Sequence, residues 1–139
     1  MKKVIYIGLT VIVLIVAGAV YYVFNKPVRK AAGEEAAFSM PSEQLLKEYE
    51  VNDTLASKKY LDKVLEVKGT ITNIQTDQKG GMVLMLNERD GMGGITCSID
   101  EGSKEKVKVL KVGQTIVLKG ICTGGDAMFG VTLNKCEVE

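Results

Sequence analysis

From Val64 to Ile74 the chain alternates. Leu65, Val67, Gly69 and Ile71 fall on one side of an extended backbone, and Glu66, Lys68, Thr70 and Thr72 on the other. A period of two marks a strand with one face on a core and one in solvent. The alternation slips at Thr72-Asn73, because Ile74 takes the parity of the polar side. A bulge or sharp bend there is what a long strand needs to curl from one sheet into another. Gly69 lies mid-strand, where glycine costs stability unless the backbone coils or approaches a neighbour closely. Leu118-Lys119-Gly120-Ile121-Cys122 repeats the rhythm of Val67-Lys68-Gly69-Thr70-Ile71. Two coiled strands, each kinked at a glycine, predict a small closed barrel.

The remaining pattern supplies the other elements. Pro41 opens a predicted helix, with Ser39 or Ser42 as cap and Glu43 favourable to the dipole. Leu45, Tyr49, Asn52, Ala56 and Tyr60 carry that helix on one stripe, beside Leu46, and it is expected to brace the barrel. Asp77 to Gly81 reads as a hairpin turn, Met82 to Leu86 as a second strand, and Asn87 to Gly94 as a loop. Ile95, Cys97 and Ile99 point inward from a third strand, and Ser103 to Lys111 forms a short helix with Val107 and Leu110 inward. Thr115 to Cys122 and Met128 to Val138 are the fourth and fifth strands, with a turn at Thr123 to Ala127. The order, with a helix between strands three and four, is that of a five-stranded OB-fold, a Greek-key barrel. The class is mainly all-β, with an extra helix before the barrel.

The N-terminal segment is of another kind. From Val4 to Phe24 there is no Asp, Glu, Lys or Arg, a run as long as the roughly 20 residues that cross a bilayer. Tyr21, Tyr22 and Phe24 stand where an aromatic belt belongs, followed by Lys26, Arg29 and Lys30. The division expected is a transmembrane signal anchor at 1–25, a linker at 26–40 in which Pro27 discourages helix, and the OB-fold domain at 41–139. The competing reading is a cleaved signal peptide, with Ala17-Gly18-Ala19 as its site; the apolar run continues past it to Phe24. Basic residues on the two sides of the span nearly balance, and the short basic N-terminus favours export of the C-terminal part. The expected placement is a single-pass bacterial inner-membrane protein with its globular domain outside the cytoplasm, in the periplasm.

Charge and composition narrow the chemistry. Of 18 basic residues, Lys2, Lys3, Lys26, Arg29 and Lys30 precede residue 31, and all 17 acidic residues follow it. The domain is therefore mildly acidic and lacks the basic face of a nucleic-acid binder. There is no histidine, which removes the commonest general base and the commonest metal ligand. Cys97, Cys122 and Cys136 form no CxxC pair, so zinc is not indicated, and no other metal or cofactor is expected. They are read either as buried thiols or, outside the cytoplasm, as one disulfide among the three with one thiol left over.

Tyr60-Leu61-Asp62-Lys63-Val64 with Val67-Lys68-Gly69, Gly93-Gly94-Ile95-Thr96-Cys97, Leu110-Lys111-Val112-Gly113-Gln114, Lys119-Gly120-Ile121-Cys122-Thr123-Gly124 and Leu133-Asn134-Lys135-Cys136 carry a resemblance. The chain is similar over about residues 42–139 to the tRNA-anticodon-like OB-fold family of small bacterial proteins, many with an N-terminal membrane anchor. That resemblance implies the fold. Its name records kinship with nucleic-acid binders, and fold does not fix function.

Three functions are weighed. The first is a membrane-tethered, non-enzymatic binding module in the cell envelope for a protein, peptide or glycan. The alternative is a single-stranded nucleic-acid binder, which would use a basic groove and stacking aromatics. Residues 60–139 hold ten basic and eleven acidic residues, with Tyr60 and Phe129 as their aromatics. Candidate ligand contacts are Lys68, Lys79, Arg89, Lys119 and Phe129. The third is an enzyme, and it is not expected. Cys97 belongs to an inward series, Gly91-Met92-Gly93-Gly94 lacks the GK[ST] ending of a phosphate loop, and Asp90 and Asp126 form no calcium-loop pattern.

Overall fold

The computed structural model describes residues 2–24, 31, 33–88 and 93–139; within 2–24, side chains are described at 8 and 10–22. In chain order the elements are α1 (Lys2–Phe24), β1 (Phe38–Pro41), α2 (Ser42–Val51), α3 (Asp53–Tyr60), β2 (Val64–Thr76), β3 (Met82–Leu86), β4 (Gly94–Ile99), a 3-10 turn (Glu101–Ser103), α4 (Lys104–Lys108), β5 (Thr115–Asp126) and β6 (Gly130–Val138).

Five strands close on themselves. β2 pairs antiparallel with β3, β3 with β4, β4 parallel with β6, β6 antiparallel with β5, and β5 returns to β2. The closed barrel, with α4 between its third and fourth strands, has the strand order of an OB-fold. β2 serves two partners because it bends: Val64–Thr70 pair with β5 and Ile71–Thr76 with β3, with a register shift between Ile71 and Asn73. The slip in the hydrophobic pattern at Thr72-Asn73 is that bulge.

The inward series is buried as the alternation requires: Leu65, Val67 and Ile71 from β2, Leu84 and Leu86 from β3, Ile95 and Cys97 from β4. Gly69 belongs to this series because α2 comes close. A Cβ there would lie 2.8 Å from Ser42 Oγ and 3.2 Å from Asn87 Oδ1. Gly120 plays the same part in β5, where a Cβ would lie 2.5 Å from Cys136 Sγ.

Three expectations are corrected. The single helix from Pro41 to Tyr60 is two helices broken at Asn52. There the backbone is extended (φ −161°, ψ 97°) and the side chain accepts a hydrogen bond from Leu55 N–H at 3.0 Å. Asn-Asp-Thr competes with helix continuation by offering a cap, so a second helix starts where the first would have continued. Phe38–Pro41, inside the segment read as linker, forms β1 parallel to Leu65–Lys68, and Ala31 is already buried with Val64 and Ile121. The fourth strand runs to Asp126, past the expected turn, because Gly124 (φ 128°) and a register shift at Cys122/Gly124 let it coil around β6.

The helix expected at the N-terminus is present as α1. Among the described residues no helix is long and apolar enough to cross a membrane.

α2 and α3 are fastened to the barrel by aromatic and polar contacts. Tyr49 stacks on Tyr60 at 6.3 Å between centroids, and Phe38 of β1 meets Tyr60 edge-on at 5.1 Å. Glu48 accepts hydrogen bonds from Tyr60 Oη at 2.7 Å and Lys59 Nζ at 2.9 Å. The Lys59 ammonium also lies 4.7 Å from the Tyr60 ring centroid. These partners, Lys59 first and then Tyr60, hold the Glu48 carboxyl below its ordinary value.

Two outcomes follow from this packing. Gly69→Ala is expected to cost about 1–3 kcal/mol in urea unfolding, as overpacking does, and Ser42→Ala in the same chain should return part of that loss. Because the folded pKa of Glu48 is depressed, its contribution is present above the unfolded value and is lost as pH falls through the lower folded one. Glu48→Gln should remove that component, so the variant loses less stability than the parent between neutral and acid pH in parallel denaturation curves.

Candidate ligand-binding face

The outward positions of β2's second half, β3 and β4 make one continuous surface. Register places Asn73, Met85 and Thr96 in one row and Gln75, Val83 and Ser98 in the next, with Thr132 of β6 beside Thr96. Their neighbours of opposite parity fill the core, so these side chains have only the outer face to occupy. The surface is uncharged. It offers amides and hydroxyls around two half-buried apolar side chains, Val83 and Met85, and no aromatic ring.

Two loops stand at its ends. The β2–β3 hairpin is built on Asp77, whose carboxylate accepts hydrogen bonds from Lys79 N–H at 2.8 Å and Gly81 N–H at 2.7 Å. Those two backbone donors hold the Asp77 carboxyl below its ordinary value, and Lys79 stands exposed at the tip. At the other end Asp126 does the same work for the β5–β6 loop, accepting from Met128 N–H at 2.8 Å and Phe129 N–H at 2.6 Å. That turn presents two apolar side chains to solvent, Met128 at 62% and Phe129 at 73% exposure. The close approach of Gly130 (φ 84°) to the Gly94 backbone sets the β5–β6 loop against the start of β4.

The candidate contacts are thus divided. Lys79 and Phe129 flank the uncharged face from opposite ends. Lys68 and Lys119 lie on another wall, made by β1, β2 and β5. Lys68 opens onto a shallow depression of about 210 Å³ beside Ser42, Thr70, Asn87 and Thr115. Lys119 is engaged: it sits opposite Glu66 and Glu137 and pairs with Glu139 at 3.3 Å, its side chain only 18% exposed. With Glu139 on its ammonium and Glu66 and Glu137 as its cross-strand neighbours, Lys119 offers no free positive charge to a phosphate. Arg89 lies outside the described residues.

A second concavity escapes the sequence pattern. Between α2 and α3 lies a cleft of about 410 Å³ whose lining is mostly apolar, with Val51, Leu55 and Ala56 inside and Lys47 and Lys59 at the margin. Val51 and Leu55 are off the buried stripe of a single helix. They come together only because the chain breaks at Asn52, so the capping signal Asn-Asp-Thr was the one available clue.

The cysteines carry no exposed reactivity. All three are free and buried. A hydrogen bond with the Cys136 thiol and then burial push the Cys97 thiol well above its ordinary value, so it is no thiolate nucleophile at neutral pH. Cys122 Sγ lies 3.6 Å from Tyr49 Oη. Among the described residues no three His, Cys, Asp or Glu side chains converge to hold a metal ion.

Comparison places the chain among known folds. It is similar, with TM-score 0.59 and 21% identity over 73% of this chain and 90% of the other, to a Klebsiella pneumoniae protein described as a candidate nucleic acid-binding lipoprotein. More distant likenesses are the S. pombe Stn1–Ten1 complex, with TM-score 0.40 and 15% identity over 55% of this chain and 57% of the other. An OBody bound to hen egg-white lysozyme gives TM-score 0.42 and 13% identity over 65% of this chain and 91% of the other. No curated protein matches the chain. The tRNA_anti-like family model matches residues 1–138, nearly the whole sequence, and the protein is a member of the tRNA_anti-like family of OB-fold binding domains.

Proposed function

We propose that this protein is a membrane-tethered, non-enzymatic OB-fold module that binds a protein, peptide or glycan in the bacterial envelope through the outer face of β2, β3 and β4. The observation that carries the reading is the chemistry of that face. Asn73, Gln75, Thr96, Ser98 and Thr132 supply uncharged hydrogen-bonding groups, Val83 and Met85 an apolar floor, and Met128 and Phe129 an exposed apolar tip. Such a surface suits a neutral ligand with backbone-like or hydroxyl groups, and the apolar tip suits a protein partner. The tether rests on the uncharged run Val4–Phe24 and the basic residues beyond it. The periplasmic placement rests on the short basic N-terminus.

A single-stranded nucleic acid is the second reading, favoured by the described binding of the Klebsiella relative. It fits the face less well. Affinity for a strand comes mainly from cations and stacking rings, and here Lys119 is engaged by Glu139 while Phe129 stands at one end.

Photo-crosslinking in cells separates the two. A photoreactive residue at Met85 or Phe129 is expected to trap one discrete protein or glycan adduct, and one at Lys119 none. Equal adducts at all three positions would overturn the assignment of the face. With single-stranded oligonucleotides at low salt, no change in fluorescence anisotropy is expected; a salt-sensitive rise would make nucleic acid the ligand. A reporter active only outside the cytoplasm, fused after Glu139, should be active if the tether is oriented as proposed.

A further inference from the structure

We propose that the α2–α3 end of the domain docks on an anionic lipid surface, which Val51, Leu55 and Leu61 enter and Lys58, Lys59 and Lys63 rim. This docking rests on the membrane tether proposed above and goes beyond it, since a tether alone leaves the domain free to turn.

The path of the tether selects this end. Residues 25–30 are all that separate Phe24, the last residue of α1, from Ala31. Ala31 is already seated in the domain, buried with Val64 at the start of β2 and Ile121 of β5. The stretch from Phe24 to Ala31 reaches at most about 25 Å, so the domain is held to the bilayer by the end that carries Val64. α3 runs straight into that point: Leu61 N–H donates to Ser57 O, Lys63 N–H donates to Tyr60 O, and Val64 follows.

Apolar side chains are exposed at the same end. Ala56 and Tyr60 turn the inner side of α3 onto the barrel. Leu55 and Leu61 therefore flank its outer side, with Lys58 between them, and all three are exposed. Val51, the last residue of α2, joins Leu55 across the break at Asn52 to line the apolar cleft. Val51 is 79% exposed and Leu55 62%. Exposed apolar side chains gathered on one surface mark a contact. The charges around them have the sign that anionic lipid attracts. From Thr54 to Lys63 the chain carries Lys58, Lys59 and Lys63 against Asp62. Lys59 is shared with Glu48, whereas Lys58 and Lys63 extend into solvent. Such side chains keep their ammonium groups among headgroup phosphates while their stems follow the apolar residues down.

Val109 and Val112 are exposed as well, but at the opposite end. They precede Thr115, which pairs with Thr70 at the far end of the β2–β5 ladder, about 20 Å from Val64. The uncharged face of β2, β3 and β4 contributes no residue to the contact and stays open to its ligand. Because the tether already makes the encounter intramolecular, a contact too weak to recruit a free domain is enough to orient this one.

The chain has no tryptophan, so a single introduced one reports its own surroundings. Leu55→Trp, Leu61→Trp, Val112→Trp and, within α1, Val16→Trp all replace exposed side chains, which spares the core. Each full-length variant is placed in phosphatidylcholine–phosphatidylglycerol vesicles, with and without brominated acyl chains that quench tryptophan. Side chains about 5–10 Å into the headgroup–acyl boundary meet the bromines, so emission at positions 16, 55 and 61 should fall by roughly half and emission at 112 should not change. Quenching at 16 without quenching at 55 and 61, or equal quenching at 55, 61 and 112, would overturn the docking and leave the tether standing. An unquenched Val16→Trp would remove the tether, and the docking with it. In the Leu61→Trp chain, Lys58→Gln and Lys63→Gln should each lower the ratio of docked to undocked domain about fivefold, read from the extent of quenching. Quenching that ignores both replacements would rule out an anionic surface as the occupant.

Discussion

The fold depends on one strand being shared between two partners. β2 cannot pair with β5 along its first half and β3 along its second without bending, and the bend exposes backbone groups that a regular ladder would have paired. The chain meets them from three directions. Ile71 donates to Gln114 O and accepts from Gly113 N–H, drawing in the entrance to β5. Asn87, itself in the left-handed region (φ 50°), gives its N–H to Thr70 O and takes the Thr70 N–H on its side-chain oxygen at 2.8 Å. Thr72 Oγ1 donates to Met85 O and accepts from Glu88 N–H. Gly69 stands next to this knot because Asn87 and Ser42 both crowd it. Barrel closure, the seat of α2 and the path of the β3–β4 connection are therefore one packing problem with one solution.

The same bend divides the exterior. Before it, the outward residues of β2 join a wall where Lys119 pairs with Glu139, Lys106 with Glu137, and Glu66 accepts from Ser39. After it, they join a face without charge. Charged side chains placed where they pair across strands add solubility and modest stability. A surface of amides and hydroxyls beside half-buried Val83 and Met85 has no such internal partners, and its hydrogen-bonding capacity is turned outward. One strand thus carries a self-satisfied half and an unsatisfied half.

Much of the fold was legible because it follows from local rules that tertiary packing reinforces. The parity slip at Ile74 marked the bulge, Met82–Leu86 form a short apolar run bounded by turn residues, Ile95–Ile99 alternate cleanly, and the mid-strand glycines marked close approaches. What escaped depends on competition between neighbours in space. Asn52 is compatible with a helix interior in sequence, yet its side chain finds Leu55 N–H and splits the helix. Phe38–Pro41 are too few to show a period, and they become a strand because β2 leaves an edge open beside Leu65–Lys68. The candidate site was less legible than the fold. A lysine's number in the sequence does not say which carboxylates lie across the sheet, so Lys119 read as an available cation although Glu139 holds it.

The register of β6 shows why fold and chemistry cannot be separated in so small a barrel. An extra residue at Lys135 is needed to keep Val138 facing inward after the strand coils past β5, and both Cys136 and Val138 are buried as a result. Coiling requires β5 to come close, which Gly120 allows, and the space left by its missing side chain receives the Cys136 sulfur. A larger residue at 120 would push β5 off β6, and a smaller one at 136 would leave a void in contact with Cys97, with the loss of packing that a cavity entails. The glycine of the Leu118-Lys119-Gly120 rhythm and the thiol of Cys136 are thus two halves of one contact. The matching glycine of Val67-Lys68-Gly69 makes its contact with Ser42 instead, so the repeat in sequence is a repeat of geometry, close approach at a coiled strand, with a different partner filling the space each time.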